Sequence, residues 1–237
     1  MPALVYMIPA VLQEEALATI PYMNTEAIRQ CRVFFTENER TARRFLKALW
    51  KHYLPGENLV IDEFEWFLIA PENEAAFRQR IREGKTIGIL SEAGCPGVAD
   101  PGQSLAAIAQ EMKATVKPLT GPSAVLLALM ASGMNGQKFQ FHGYLPIDAA
   151  QRQKTLKELE AESARKDCTQ IFIETPYRNN QLLEAMLKNC LPATRLCVAA
   201  NLTGPGERVL TKTIAEWKKE TADLHKQPVI FLLHSSR

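Results

Sequence analysis

Apolar and polar positions follow two alternating rhythms along this chain. Short runs rich in Val, Ile and Phe recur at 4–8, 32–35, 86–90 and 115–119 and predict buried strands. Between them, 41–53, 72–83 and 103–112 carry apolar residues at helical spacing. Strands alternating with helices of about ten residues predict βαβ units and a largely parallel sheet covered on both faces.

The rhythm changes past residue 122. A helix is expected over 123–132, followed by strands at 139–144, 171–173, 196–199, 209–211 and 229–233, with helices at 180–189 and 214–224. The strands at 196–199 and 209–211 are too close for a helical crossover, so they predict an antiparallel hairpin and a mixed second sheet. The expected fold is therefore α/β in two domains, 1–121 and 122–237, which abut and leave a cleft. Neither an internal repeat nor a coiled-coil heptad interrupts this pattern.

Composition changes the picture little. The 237 residues are 46% hydrophobic and 23% charged, with a formal net charge of +2, so nothing global demands a nucleic-acid partner. A basic run at Arg40, Arg43, Arg44, Lys47 and Lys51 has the spacing of a solvated helix face. The five cysteines lie at 31, 95, 168, 190 and 197, without metal-ligand spacing, and imply a reducing compartment and no zinc. The opening residues carry neither a basic leader nor a long apolar run, so a cytoplasmic protein without a membrane span is expected.

Candidate chemistry gathers at strand ends. The segment 91–102, SEAGCPGVADPG, places three glycines and two prolines between a strand and a helix. Ligands of open α/β sheets sit at carboxyl strand ends, where glycine lets the backbone approach them, although Gly and Pro punctuate ordinary turns too. A second loop, TGPS at 120–123, repeats the arrangement, with Ser123 placed to cap the next helix. A third strand end, IFIETPYRNN at 171–180, offers Glu174, Tyr177 and Arg178 as a polar rim. Neither GxGxxG nor GxxxxGK[ST] is present, nor GxSxG, nor HExxH. The four histidines are isolated.

Taken in order, these segments resemble the tetrapyrrole methylase superfamily, and within it the branch similar to ribosomal RNA small-subunit methyltransferase I. Residues 91–102 match S-D-A-G-T-P…D-P-G, PLTGPSA at 118–124 matches P-L-P-G-P-x-A, and FHGYLP at 141–146 matches E-G-F-L-P. ENER at 37–40 stands for E-D-T-R, FIETPYR at 172–178 for F-Y-E-S-x-x-R, and ANLT at 200–203 for R-E-L-T. The resemblance implies a homodimeric methyltransferase that holds S-adenosylmethionine in the cleft, mainly by backbone atoms, with no metal. It carries over Ser91, Ala93, Gly94, Cys95, Val98, Ser123 and Ala124 as cofactor contacts, with Phe172, Ile173, Asn201 and Leu202 closing the site from the second domain.

Methyl transfer from a sulfonium is an in-line displacement that needs alignment more than a catalytic triad. If the acceptor is a ribose 2′-hydroxyl of small-subunit ribosomal RNA, Glu37 or Glu174 is placed to take its proton, while Arg40, Tyr177 and Arg178 contact the substrate. A small-molecule acceptor such as a tetrapyrrole, or a cofactor-binding module without turnover, are the alternatives. The chain departs from the branch at 8–17, IPAVLQEEAL, where T-P-I-G-N-L is expected, and in Glu92 and Cys95, which replace Asp and Thr. The acceptor is thus less defined than the cofactor.

Overall fold

The computed structural model describes residues 3–235, and the chain divides after Ser123 into two compact units. The first contains β1 (Leu4–Ile8), α1 (Met23–Gln30), β2 (Val33–Thr36), α2 (Glu39–Tyr53), β3 (Glu65–Leu68), α3 (Glu74–Arg82), β4 (Thr86–Leu90), α4 (Gly102–Glu111) and β5 (Thr115–Pro118). Its strands lie in the order β3-β2-β4-β1-β5, and every neighbouring pair is parallel. Successive strand residues face opposite sides, and the sequence supplies apolar residues to both. Val5, Met7, Val33, Phe35, Ile87 and Ile89 pack with Phe77 and Ile81 of α3 and Leu105 and Ile108 of α4. Tyr6, Ile8, Phe34 and Leu90 pack with Ile28 of α1 and Leu46, Leu49 and Trp50 of α2.

The second unit contains α5 (Ala124–Ser132), β6 (Phe139–Tyr144), α6 (Ala149–Lys166), β7 (Thr169–Ile173), α7 (Asn179–Asn189), β8 (Arg195–Ala200), β9 (Arg208–Thr213), α8 (Ile214–Trp217) and β10 (Val229–His234). The sheet order is β6-β7-β10-β8-β9. Only β6 and β7 run parallel, and β8 and β9 form the expected antiparallel hairpin. Phe172, Val198 and Phe231 pack beneath Leu156 of α6, Leu182 and Met186 of α7, and Trp217 of α8.

Three elements escape the sequence pattern, and one is shorter than expected. The edge strand β3, EWFL, is only partly buried and lacks a clean alternation. Helix α1 begins without a side-chain cap. Helix α6 is 18 residues long but buries only Leu156, Leu159, Glu160 and Ser163, too thin a stripe to stand out. Helix α8 starts on a Thr213–Glu216 capping box, yet stops at Trp217 instead of reaching Leu224. The amide of Leu224 donates to Asn180 Oδ1 of α7 at 2.8 Å and that of His225 to the neighbouring Asp223 Oδ1 at 2.9 Å, so side-chain oxygens, one distant and one local, take these amides in place of helical carbonyls.

Candidate functional site

In the first unit the loops after β1, β2, β4 and β5 are tied together at the carboxyl ends of the parallel strands. The tie is centred on Gly94, at φ 75°, a left-handed conformation that glycine adopts without Cβ strain. Its N–H donates to the Ala10 carbonyl at 3.1 Å, and its carbonyl accepts the Ala10 N–H at 2.9 Å. The Ser91 hydroxyl, on a buried residue, donates to the same Gly94 carbonyl at 3.1 Å. Cys95 reaches the loop after β5, its thiol donating to the Pro122 carbonyl at 3.5 Å. That loop lies so close to the one after β1 that a Cβ on Gly121 would stand 2.3 Å from the Pro9 ring. Asn24 of α1 fixes it from the other side, donating to the Thr120 carbonyl at 2.9 Å.

The loop after β2 joins through carboxylates. Glu37 Oε1 accepts the Glu92 N–H at 2.8 Å, and the Thr41 hydroxyl donates to Glu92 Oε1. Asp100 Oδ1 accepts from the amides of Gly97 and Gly102 and folds the loop end onto α4. Among the described residues no cation pairs with Glu37, Glu92 or Asp100, and no cluster of His, Cys, Asp and Glu could hold a metal ion. Burial raises the Glu37 carboxyl above its ordinary range; the Glu92 amide opposes this, and the Asp100 and Glu92 charges add to it. Burial, and then Asp100, likewise raise the Cys95 thiol, which favours its protonated form.

This bracing spends the Gly94 peptide groups within the protein. The neighbouring N–H groups of Ala93 and Cys95 donate to no acceptor among the described residues, so they are the donors the loop leaves for a ligand. Ala93 is exposed and Val98 is 52% exposed, while Ser123 and Ala124 are half-buried at the start of α5. Beside the loop opens a cavity of about 430 Å³, lined by residues after β1, by α2 and by Ser91, Glu92 and Ala93. Arg40 lies on α2, exposed and without an ion pair among the described residues.

The remaining candidates gather in the second unit. Glu174 ends β7 with its side chain 1% exposed, and its Oε1 accepts from Thr175 N–H at 2.7 Å and from Arg178 at 2.7 and 3.0 Å. The guanidinium of Arg178 is therefore committed to Glu174. Glu174 Oε2 is buried and unpartnered among the described residues, as is the Thr203 hydroxyl. Phe172 is buried in the core and Ile173 is half-buried, whereas Tyr177 is 69% exposed and touches His225 edge-on. The segment before β10 links both loops: Lys226 N–H donates to the Pro176 carbonyl at 3.0 Å, and Asn201 Nδ2 to Gln227 Oε1 at 2.9 Å. Asn201 is left-handed at φ 53°, and Leu202 beside it is buried.

Sequence reasoning missed Thr41 and Asp100, which hold the acidic loops, and the cavity walls Leu12 and Phe45. Asp100 could have been found from its position just before a helix start, where a carboxylate accepts free amides.

A parallel α/β unit with glycine loops braced at its carboxyl strand ends, followed by a mixed α/β unit, defines the class of protein. Residues 19–218 match the family described as Tetrapyrrole (Corrin/Porphyrin) Methylases, and the chain belongs to that family. It is 36% identical over 141 residues to "Ribosomal RNA small subunit methyltransferase I" of Halalkalibacterium halodurans, covering 58% of this chain and 47% of the relative. A protein of the same name from Helicobacter pylori is 31% identical over 199 residues, covering 79% of this chain and 68% of the relative. The chain spans about half the length of the first curated relatives it matches. A crystal structure of diphthine synthase shares the fold with a TM-score of 0.66 at 12% identity, over 98% of this chain and 90% of that one.

Proposed function

We propose that this protein is a methyltransferase that uses S-adenosylmethionine to methylate a ribose 2′-hydroxyl of small-subunit ribosomal RNA. The observation that carries the reading is the braced loop after β4, in a chain whose curated relatives are named for that RNA. Gly94 is fixed to Ala10, which leaves the Ala93 and Cys95 amides as donors for a carboxylate such as that of the methionine moiety. Unpaired carboxylates at Glu37, Glu92 and Asp100 favour a cationic sulfonium nearby. The structured loop therefore fits the cofactor, and Ser91, Ala93, Cys95 and Val98 are the residues of this unit that would hold it.

S-adenosylmethionine supplies, when bound, an electrophilic methyl group on a sulfonium leaving group. The protein aligns the acceptor and takes its proton. Glu37 does this at Oε2, since Oε1 is held by the Glu92 amide, and its raised pKa brings it nearer to working pH than an ordinary carboxylate. Arg40 offers its free charge to a phosphate. Glu174, clamped by Arg178, has only its buried Oε2 to offer a ligand donor, so we assign it to binding rather than to proton removal. The working form in this reading is a cytoplasmic homodimer.

The test is transfer of a labelled methyl group to small-subunit RNA, followed by alkaline hydrolysis, which needs a free 2′-hydroxyl. An alkali-stable labelled dinucleotide is expected. Label carried by a macrocycle and absent from RNA would overturn the acceptor, and failure to bind S-adenosylmethionine or S-adenosylhomocysteine in calorimetry would overturn the enzyme reading.

A further inference from the structure

We infer that the cavity beside α2 receives one unpaired base of the RNA acceptor and selects bases carrying an exocyclic amine; this rests on the RNA reading above. Its volume of about 430 Å³ lies in the range of small-ligand pockets. Val11, Leu12, Leu17, Phe45 and Ala48 give it apolar walls suited to the faces of a flat heterocycle. Of the two carboxylates on its lining, Glu14 is paired with Arg44, whereas Glu92 has no ion pair among the described residues. Glu92 is held in one orientation because Oε1 takes the Thr41 hydroxyl, and Oε2 has no partner among the described residues. The side-chain amide of Gln13 is likewise uncommitted among those residues. A carboxylate only accepts hydrogen bonds, so it matches the amine of cytosine or adenine and opposes the carbonyl of uracil or hypoxanthine.

The surroundings favour a base on a phosphate backbone over a free neutral molecule. Arg40, Arg44, Lys47 and Lys51 are exposed and recur at the spacing of a single α2 face, the helix that forms one cavity wall. Arg44 lines the cavity and pairs with Glu14 at 2.6 Å, while Arg40, Lys47 and Lys51 have no ion pair among the described residues. Phosphates following that row would let one base turn into the cavity, while the charge of Glu92, which has no ion pair among the described residues, repels the backbone from it. The cofactor is a poorer occupant. Of the residues assigned to it, only Ser91 and Ala93 touch the cavity, and Cys95, Val98, Ser123 and Ala124 do not.

The experiment measures binding of labelled single-stranded heptamers by the full chain with S-adenosylhomocysteine present. Each RNA is uridine except for a central cytidine, adenosine, uridine or inosine. Cytidine over uridine, and adenosine over inosine, should bind about ten-fold tighter. Ala48→Trp, which fills the cavity from α2, should erase that preference while calorimetric binding of S-adenosylhomocysteine stays unchanged. Lys47→Ala with Lys51→Ala should weaken all four RNAs alike and flatten the logarithmic salt slope by about 0.7 per cation. Equal binding of all four RNAs by the wild type, or an undiminished preference in Ala48→Trp, would overturn the base-cavity assignment alone. Loss of S-adenosylhomocysteine binding in Ala48→Trp would place the cofactor there instead. Cofactor binding with no RNA binding at all would sink the RNA reading beneath it.

Discussion

Replacing Arg178 with Ala should cost stability before it costs anything else. The Glu174 side chain is 1% exposed and Arg178 27%, and two guanidinium nitrogens lie 2.7 and 3.0 Å from Glu174 Oε1. Removing the cation leaves a buried carboxylate with the Thr175 N–H as its remaining donor, at 2.7 Å. Breaking a buried pair costs about 3–5 kcal/mol, and the partial exposure of Arg178 with the retained amide lowers this to about 2–4 kcal/mol. Adding Glu174→Gln removes the stranded charge, so the double variant should recover about 1–2 kcal/mol of that loss. Urea unfolding followed by Trp217 fluorescence, in a Trp50→Phe/Trp66→Phe background, reports this unit. Trp217 is 2% exposed and its indole donates to the Leu196 carbonyl at 2.9 Å. A loss below about 1 kcal/mol in Arg178→Ala, or a double variant less stable than Arg178→Ala, would refute the reasoning.

Three further outcomes follow from the same structure. Gly121→Ala forces a Cβ to 2.3 Å from the Pro9 ring and should cost about 1–3 kcal/mol in denaturant unfolding, with weaker S-adenosylhomocysteine binding as the braced loops shift; unchanged stability would show that the loops yield freely. Because burial raises the Glu37 pKa, its contribution to stability is present below the unfolded carboxyl pKa and is lost as pH rises through the folded value. Glu37→Gln should therefore be no less stable than wild type at neutral pH, while losing the limb of the methylation rate that climbs with pH as the base ionises. His234 is shifted the other way, lowered first by burial and then by Arg195, with Asp167 opposing. The unfolded chain binds its proton more readily, so stability should fall as pH drops below about 6.5, and His234→Gln should lessen that slope in acid unfolding.

Much of the architecture is legible in the sequence because apolar runs make most of the buried strands. The runs at 4–8 and 86–90 coincide with the buried β1 and β4, whereas the run at 139–144 coincides with β6, whose residues are half-buried or exposed. Strand β3 and helix α6 are hidden for a common reason: each buries too few residues for its period to rise above the polar background. Glycine spacing marks the loop after β4, but sequence cannot show that both peptide groups of Gly94 are taken by Ala10, a partner 84 positions earlier. Nor does it show Arg178 turned inward onto Glu174 while Arg40 stays free, since the two read alike as strand-end arginines. The cavity is the least legible feature, because its walls come from three separated segments whose apolar residues look like ordinary core.

The rung between Ala10 and Gly94 explains how the segment after β1 can depart from the family pattern without harm to the loop it braces. Both bonds run between backbone groups, so they depend on the path of the chain and not on which side chains flank it. Leu12 and Gln13 line the cavity two and three positions further on. A Cβ on Gly94 would lie 3.4 Å from Leu12 Cδ2 and 3.5 Å from the Pro122 carbonyl, and at φ 75° it would also be strained, so a bulky residue there would pry the loops apart. Substitution of Gly94 is therefore a test of loop integrity, whereas substitution at 12 and 13 tests acceptor choice. Leu12→Ala with Gln13→Ala should alter base preference and leave S-adenosylhomocysteine affinity intact. Equal loss of both would mean that cofactor and acceptor share the cavity walls, and that backbone bracing does not insulate the one from change in the other.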